Sequence, residues 1–361
     1  MGLKQRINED LCGLPVGERN SITDVPGIRI GHKTLRGHGR MTGVTAMVPG
    51  SQIFAKKFPA AAYVSNGFGK SMGLIQIQEM GYLETPIVLS NTFAEGACYE
   101  ALVRYSLERN PTIGVETGTV NPVVLECNDG EMNTIRDLAV SQEDVFSAIA
   151  DATPECVEGD VGAGTGMVCF GMKGGIGTSS RVLNIDGRAG TIGVLVLSNF
   201  GDQQCFRLAG QVVHDDLSGT NQHQMRHGIP SDIDIPGVDK GSIVSVLATD
   251  LPMDSRQLHR LAKRVTVGIA RTGGYVGNGS GEIVVAFSTS NRIHHRMDAA
   301  VETIERLHED AMDVCFRATA AASEEAIISS LMHAHTRIGR SGTIHSLRDV
   351  LNTSANLPAG K

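Results

Sequence analysis

The stretch "TGGYVGNGSGEIVVAFST", residues 272–289, sets one serine, Ser280, between Gly279 and Gly281 at the mouth of an apolar run. That run is short and rich in β-branched residues, so it reads as a buried strand. Upstream, "MDSRQLHRLAKRVTVGIARTGG" (253–274) places Leu258, Leu261, Ala262, Val265 and Ile269 on one helical face, with Asp254 as N-cap and Gly273 as stop. Helix, glycine-rich turn and strand therefore follow one another, and the turn holds a lone hydroxyl.

The same kind of strand recurs through the first two thirds of the chain. "VTAMV" (44–48), "TPIVLSN" (85–91), "TIGVLVLSNF" (191–200) and "SIVSVLATD" (242–250) are brief apolar runs bounded by Gly, Pro, Asn or Asp. Two further helices are expected at about 296–318 and 323–335, so the layout is mixed α and β with helices covering a sheet. No internal repeat or linker divides the 361 residues, and residues 1–361 read as one domain. The polar stretch 219–242 reads as a long excursion.

Bulk composition excludes several functions. A net charge of −7 with no Lys/Arg cluster argues against a nucleic-acid partner. Seven scattered cysteines with no CxxC pair indicate reduced thiols and a cytoplasmic protein. No signal-peptide h-region or spanning apolar run is present, so no membrane association is expected. His223 with His227, His294 with His295, and His333 with His335 could suggest a metal. None has ligand-type spacing with a third donor, and solvated or capping histidines are the expectation. The glycine-dense run 158–180 lacks both GxGxxG and GK[ST], so its glycines are read as close-packing positions rather than a phosphate cradle.

Two readings of "GNGSG" remain from the residues alone. In one, the glycines supply turn dihedrals and Ser280 bonds the backbone. In the other, they clear the Gly279 carbonyl for attack by the Ser280 hydroxyl, and an N→O acyl shift followed by hydrolysis leaves Ser280 as a new N-terminus. Its freed α-amine, of unperturbed pKa about 7.7–8.0, would then be the base that a serine nucleophile needs.

The chain resembles the P1 family of self-cleaving peptidases, which includes DmpA-type L-aminopeptidase/D-esterases and β-aminopeptidases. The resemblance rests on "SITDVPGIRIGHKTL" (21–35), "TGVTAMVP" (42–49), "LSNTF" (89–93), residues 158–182, "VLSNFG" (196–201), residues 269–289 and "ASEEAIISSL" (322–331), in that order. It implies an α+β fold, a four-layer αββα sandwich similar to N-terminal nucleophile hydrolases but different in connectivity. It also implies cleavage between Gly279 and Ser280 into residues 1–279 and 280–361, with both fragments staying in one folded unit.

Residue by residue, Ser280 matches the nucleophile and Asn199 the oxyanion-stabilising asparagine. Ser323 and Glu325 match a serine and glutamate that position the nucleophile. As plain sequence they also read as an N-cap and first turn. Glu126 matches the glutamate that holds the substrate's free amine. Family members can carry a tyrosine in the loop that corresponds to 123–135. This chain has none, and Asn128 or Glu131 stands there. The resemblance implies release of N-terminal residues from small peptides, amides or esters, no cofactor or metal, and a homo-oligomer, tetrameric by analogy. Two alternatives stand beside it: an acyltransferase of the ornithine acetyltransferase type, and a non-catalytic protein that keeps the fold.

Overall fold

The computed structural model describes residues 13–213 and 241–354. His223, His227, Cys12 and most of the 219–242 excursion lie outside the described residues. The long strands are β1 (Ile28–Gly37), β2 (Arg40–Pro49), β3 (Lys56–Gly67), β4 (Ile87–Asn91), β5 (Val123–Cys127), β6 (Gly175–Ile185), β7 (Arg188–Asn199), β8 (Ser242–Thr249) and β9 (Gly281–Ser288). The helices are α1 (Leu74–Met80), α2 (Glu95–Arg109), α3 (Gln142–Ala150), α4 (Ser255–Arg271), α5 (Met312–His333) and α6 (Leu347–Ser354).

One sheet has the order β1-β2-β4-β5 and the other has β3-β9-β8-β7-β6, with the short strand Ile293–His294 beyond β3. Alternation along each strand feeds two different cores. Leu195 and Leu197 of β7 face inward with Val246, Val285 and Phe287, and meet Ile30, Met47, Leu89 and Leu125 of the other sheet. Val194 and Val196 face outward against α4 and α5, through Leu261, Val265, Ala322 and Ala326. On the opposite side, Val44, Ala46, Val88 and Val124 pack against Cys98 and Leu102 of α2 and Val145 and Ala148 of α3. The result is a four-layer αββα sandwich. Its central strands read as continuous apolar runs because both of their faces are covered.

Helix α4 begins where its cap demands: Asp254 accepts a hydrogen bond from the Gln257 amide at 2.7 Å. Gly273, at φ 102°, follows its end in the left-handed region that favours glycine. The C-terminal helices differ from expectation. A single helix spans Met312–His333, so Ser323 lies in its interior and caps nothing. The alanine-rich run 318–326 offers no break, and the Ser323 hydroxyl donates to the Thr319 carbonyl one turn back, at 2.7 Å. Residues 296–308 are not helical. Their backbone is tied instead by Asn291, which bonds the Glu305 carbonyl and amide, and by the Leu307 amide on the Pro252 carbonyl.

The glycine run 158–180 is packed, as its composition suggests. A Cβ on Gly177 would lie 1.9 Å from the Ala326 carbonyl oxygen of α5. The loop also presents carbonyls inward: the buried Lys173 ammonium donates to those of Gly164, Met167 and Gly174. Burial lowers the Lys173 pKa to about 7. Such a loop cradles a cation of the chain's own, not a phosphate.

The remaining histidine pairs separate. His294 bonds Asp298, His295 bonds Thr117, His333 bonds Ser329 and His335 bonds Asp160. Among the described residues, no three His, Cys, Asp or Glu side chains gather as they would around a metal ion. No described helix is long and apolar enough to cross a membrane.

Because β6 and α5 touch at Gly177, Gly177→Ala should destabilise the fold by ~1–3 kcal/mol through overpacking. A lower thermal midpoint checks this; an unchanged midpoint would show that α5 does not seat on β6 as described.

Candidate active site

The site follows from strand direction. β8 and β9 run parallel with Ser242 opposite Gly281, while β7 is antiparallel to β8 with Asn199 opposite Ser242. On the other side, Gly67 at the end of β3 lies opposite Gly281. Asn199, Ser242, Gly281 and Gly67 therefore form one row across an end of the sheet, with Ser280 one residue outside it. At ~4.8 Å per strand, the Asn199 and Gly281 backbones stand roughly 10 Å apart with Ser242 between them.

Ser280 is fully buried in the continuous chain. Its amide closes a turn on the Gly277 carbonyl at 3.0 Å, and its carbonyl accepts the Phe68 amide at 3.3 Å. The Asn66 side-chain amide, at the end of β3, reaches the carbonyls of Gly277, Asn278 and Ser280. The turn is thus clamped from both ends. Just before it, Val276 holds φ at 59°, a conformation that a β-branched residue adopts only under constraint. The Ser280 hydroxyl donates to the carboxylate of Glu282, itself buried. A carboxylate acceptor on a serine hydroxyl is what deprotonation of that hydroxyl requires.

The Asn199 side chain is fixed at both ends. Its Oδ1 accepts the Val168 amide at 2.9 Å and its Nδ2 donates to the Asn128 carbonyl at 3.0 Å, which commits one of two amide protons. The second sheet is thereby joined to the first, and Cys127 strengthens the seam by donating through Sγ to the Leu197 and Ser242 carbonyls.

Glu126, at the end of β5, is buried and accepts the Lys70 amide at 2.9 Å. Lys70 follows Phe68 on the segment that leaves β3 beside Ser280 and crosses to β5, where Met72 bonds Val124. In the loop after Glu126, Asn128 is exposed, whereas Asp129 and Glu131 are buried and each has one carboxylate oxygen with no hydrogen-bond partner among the described residues. Burial raises both carboxyls to about 7.

The structure therefore gathers Ser280, Asn199 and Glu126 at one end of the two sheets. Ser323 and Glu325 sit elsewhere. The Glu325 carboxylate pairs with buried Arg181 at 2.6 Å and accepts from Asn20 and Ser179, over β6 and three strands from β9. Ser323 lies at the α4–α5 crossing, where a Cβ on Gly268 would come 2.5 Å from its own. Sequence reasoning missed Glu282 and Asn66. Glu282 had one signal, an acid two residues beyond the serine in an otherwise apolar strand; Asn66 had none, since only strand pairing brings it to the turn.

The model of peptidase family S58 matches residues 20–345. A β-peptidyl aminopeptidase, BapA, of Sphingosinicella microcystinivorans is 38% identical over 96% of this chain and 91% of its own length. The solved PH0078 protein of Pyrococcus horikoshii OT3 superposes with a TM-score of 0.87 at 44% identity, over 98% of both chains. The L-aminopeptidase D-Ala-esterase/amidase of Ochrobactrum anthropi, described as a prototype of the serine aminopeptidases and a variant of the Ntn hydrolase fold, superposes with a TM-score of 0.80. It is 34% identical over 96% of this chain and 98% of its own.

Asp129 gives the site a pH signature. Between about pH 4, where the unfolded chain releases this proton, and about 7, where the folded chain does, folding retains an extra proton and stability falls as pH rises. Asp129→Asn should flatten that slope in denaturant titrations at about pH 4.5 and about pH 7. An unaltered slope would contradict the burial of an ionisable acid here.

Proposed function

The chain belongs to peptidase family S58 and is an aminopeptidase, and from that membership we propose that Ser280 is its nucleophile, unmasked by self-cleavage at Gly279–Ser280. The observation that carries this reading is the Ser280 hydroxyl held on Glu282 at the head of β9, one residue outside the row that ends in Asn199.

In the precursor, Glu282 takes the hydroxyl proton as Oγ attacks the Gly279 carbonyl carbon. The Gly279–Ser280 C–N bond breaks, the proton passes to the departing amine, and Gly279 is left esterified to Oγ. Water then hydrolyses the ester, giving a Gly279 carboxylate and a Ser280 with free amine and hydroxyl. Asn66 and the Phe68 amide hold the Ser280 carbonyl still throughout. The clamp confines the attack to one geometry.

In turnover the freed amine takes the hydroxyl proton, Oγ attacks the substrate carbonyl, and the remaining Asn199 N–H stabilises the oxyanion. Collapse expels the leaving amine with that proton, and water releases the acyl group from Ser280. Glu126 accepts the substrate's N-terminal ammonium, a charge-assisted contact that accounts for a requirement for a free amine. Ser323 and Glu325 are given the part of setting α5 against α4 and β6. The acyltransferase alternative is not favoured, since BapA of S. microcystinivorans, matched over nearly the whole chain, is a peptidase.

Hydrolysis of aminoacyl p-nitroanilides tests the reading. Free-amine substrates should turn over and their N-acetyl derivatives should not; equal rates on both would remove Glu126 from amine binding. Asn199→Ala should lower kcat by ~10²–10³-fold. Glu282→Gln should slow the appearance of fragment 280–361 by ~10²-fold or more.

A further inference from the structure

The Asn199 amide is held from two sides, and both holds lead to one element that the reaction above does not use. Its Oδ1 accepts the Val168 amide and its Nδ2 donates to the Asn128 carbonyl. Val168 belongs to the glycine-dense run and Asn128 to the loop after β5. Backbone groups so placed need supports of their own before they can orient a side chain.

The support is a short hairpin beyond α5, in which Arg337–Gly339 pairs with Gly342–Ile344. Its base is tied to the buried carboxylate of Asp160, which accepts Arg337 Nε at 2.5 Å and the His335 amide at 3.1 Å. Its tip grips the loop after β5. Arg340 donates through Nε to the Gly130 carbonyl at 2.8 Å and through its amide to the Met132 carbonyl at 2.9 Å. The Ser341 hydroxyl and amide both donate to the Glu131 carbonyl, at 2.7 and 3.2 Å. The two backbones lie so close that a Cβ on Gly339 would stand 2.8 Å from the Met132 carbonyl oxygen. On the inner side, buried Ile344 packs with Met132 and Val168 in one small cluster. One hairpin therefore touches the loop that carries Asn128 and the residue whose amide holds the other end of Asn199. Arg340 and Ser341 are themselves exposed, so what their bonds fix is the loop and not a core.

We propose that this hairpin braces the oxyanion site, and that Arg340 and Ser341 are positioning residues for Asn199. This rests on Asn199 being the oxyanion donor. The brace lies in fragment 280–361 and the braced loop in fragment 1–279, so the bonds cross the cut. The smaller fragment supplies the nucleophile and also fixes the amide that the larger fragment turns on the oxyanion. With the tip bonds lost, the Asn128 carbonyl is free to shift, and the remaining Asn199 N–H moves off the point where the oxyanion forms. Glu126 is held independently, inside β5 and paired to β4. The signature is a loss of kcat without a loss of substrate binding.

The test measures kcat and KM on aminoacyl p-nitroanilides, per processed active site, for Arg340→Ala, Ser341→Ala and the two together, alone and combined with Asn199→Ala. The double variant should lose kcat ~tenfold with KM within ~twofold of wild type. Ser341→Thr, which keeps the hydroxyl, should recover what Ser341→Ala loses. In the Asn199→Ala background the same changes should cost less than ~twofold, because the group they position is gone. An unchanged kcat, a KM rise that matches the kcat loss, or a full further loss on top of Asn199→Ala would overturn the proposal while leaving the aminopeptidase reading intact. Wild-type kcat in Asn199→Ala would instead remove the oxyanion role on which it depends. Should the double variant misfold, Ser341→Ala alone must lower kcat at least ~threefold at unchanged KM. Failure to do so overturns the proposal.

Discussion

The parallel pairing of β8 with β9 is the constraint on which the site depends. Two parallel strands joined through α4 must begin at the same end of the sheet, and their flanking antiparallel neighbours must end there. Ser280 is delivered to that end, together with Asn199 from β7 and Asn66 from β3. The smaller sheet repeats the device. β4 and β5 are also parallel, so Asn91 and Cys127 finish side by side and Glu126 is carried to the seam. Cys127 and Asn199 then fasten one sheet's end to the other's through backbone carbonyls.

Much of this was legible in the sequence because it is local. The strands 44–48, 85–91, 191–200 and 242–250 announced themselves by β-branched apolar runs, and α4 by Asp254 and Gly273 at its ends. Ser280 stood out by the glycines around it. What could not be read depended on neighbours distant in sequence. Ser323 resembles an N-cap until its hydroxyl is seen bonded to the preceding turn. Residues 296–308 carry a helical pattern that Asn291 and Pro252 override. Glu282 becomes significant only when its side chain is seen on Ser280. The layer count came from family resemblance, and the alternation of β7 between two cores supplies its physical reason.

Buried acids crowd this end of the sheets: Glu126 and Glu282 lie out of water near Ser280, with Asp129 and Glu131 in the loop that follows Glu126. An amine freed at Ser280 would gain its positive charge on taking the hydroxyl proton, and nearby carboxylates would stabilise that charge. Val276, held at positive φ, lies four residues before Ser280 in the same turn.

Everything rests on Ser280 being sealed in the continuous chain and freed by the chain itself. Denaturing intact-mass measurement of the purified protein tests this most directly. The account predicts two species, residues 1–279 and 280–361, and a single uncut species for Ser280→Ala. An active wild-type protein that persists as one full-length chain would contradict it.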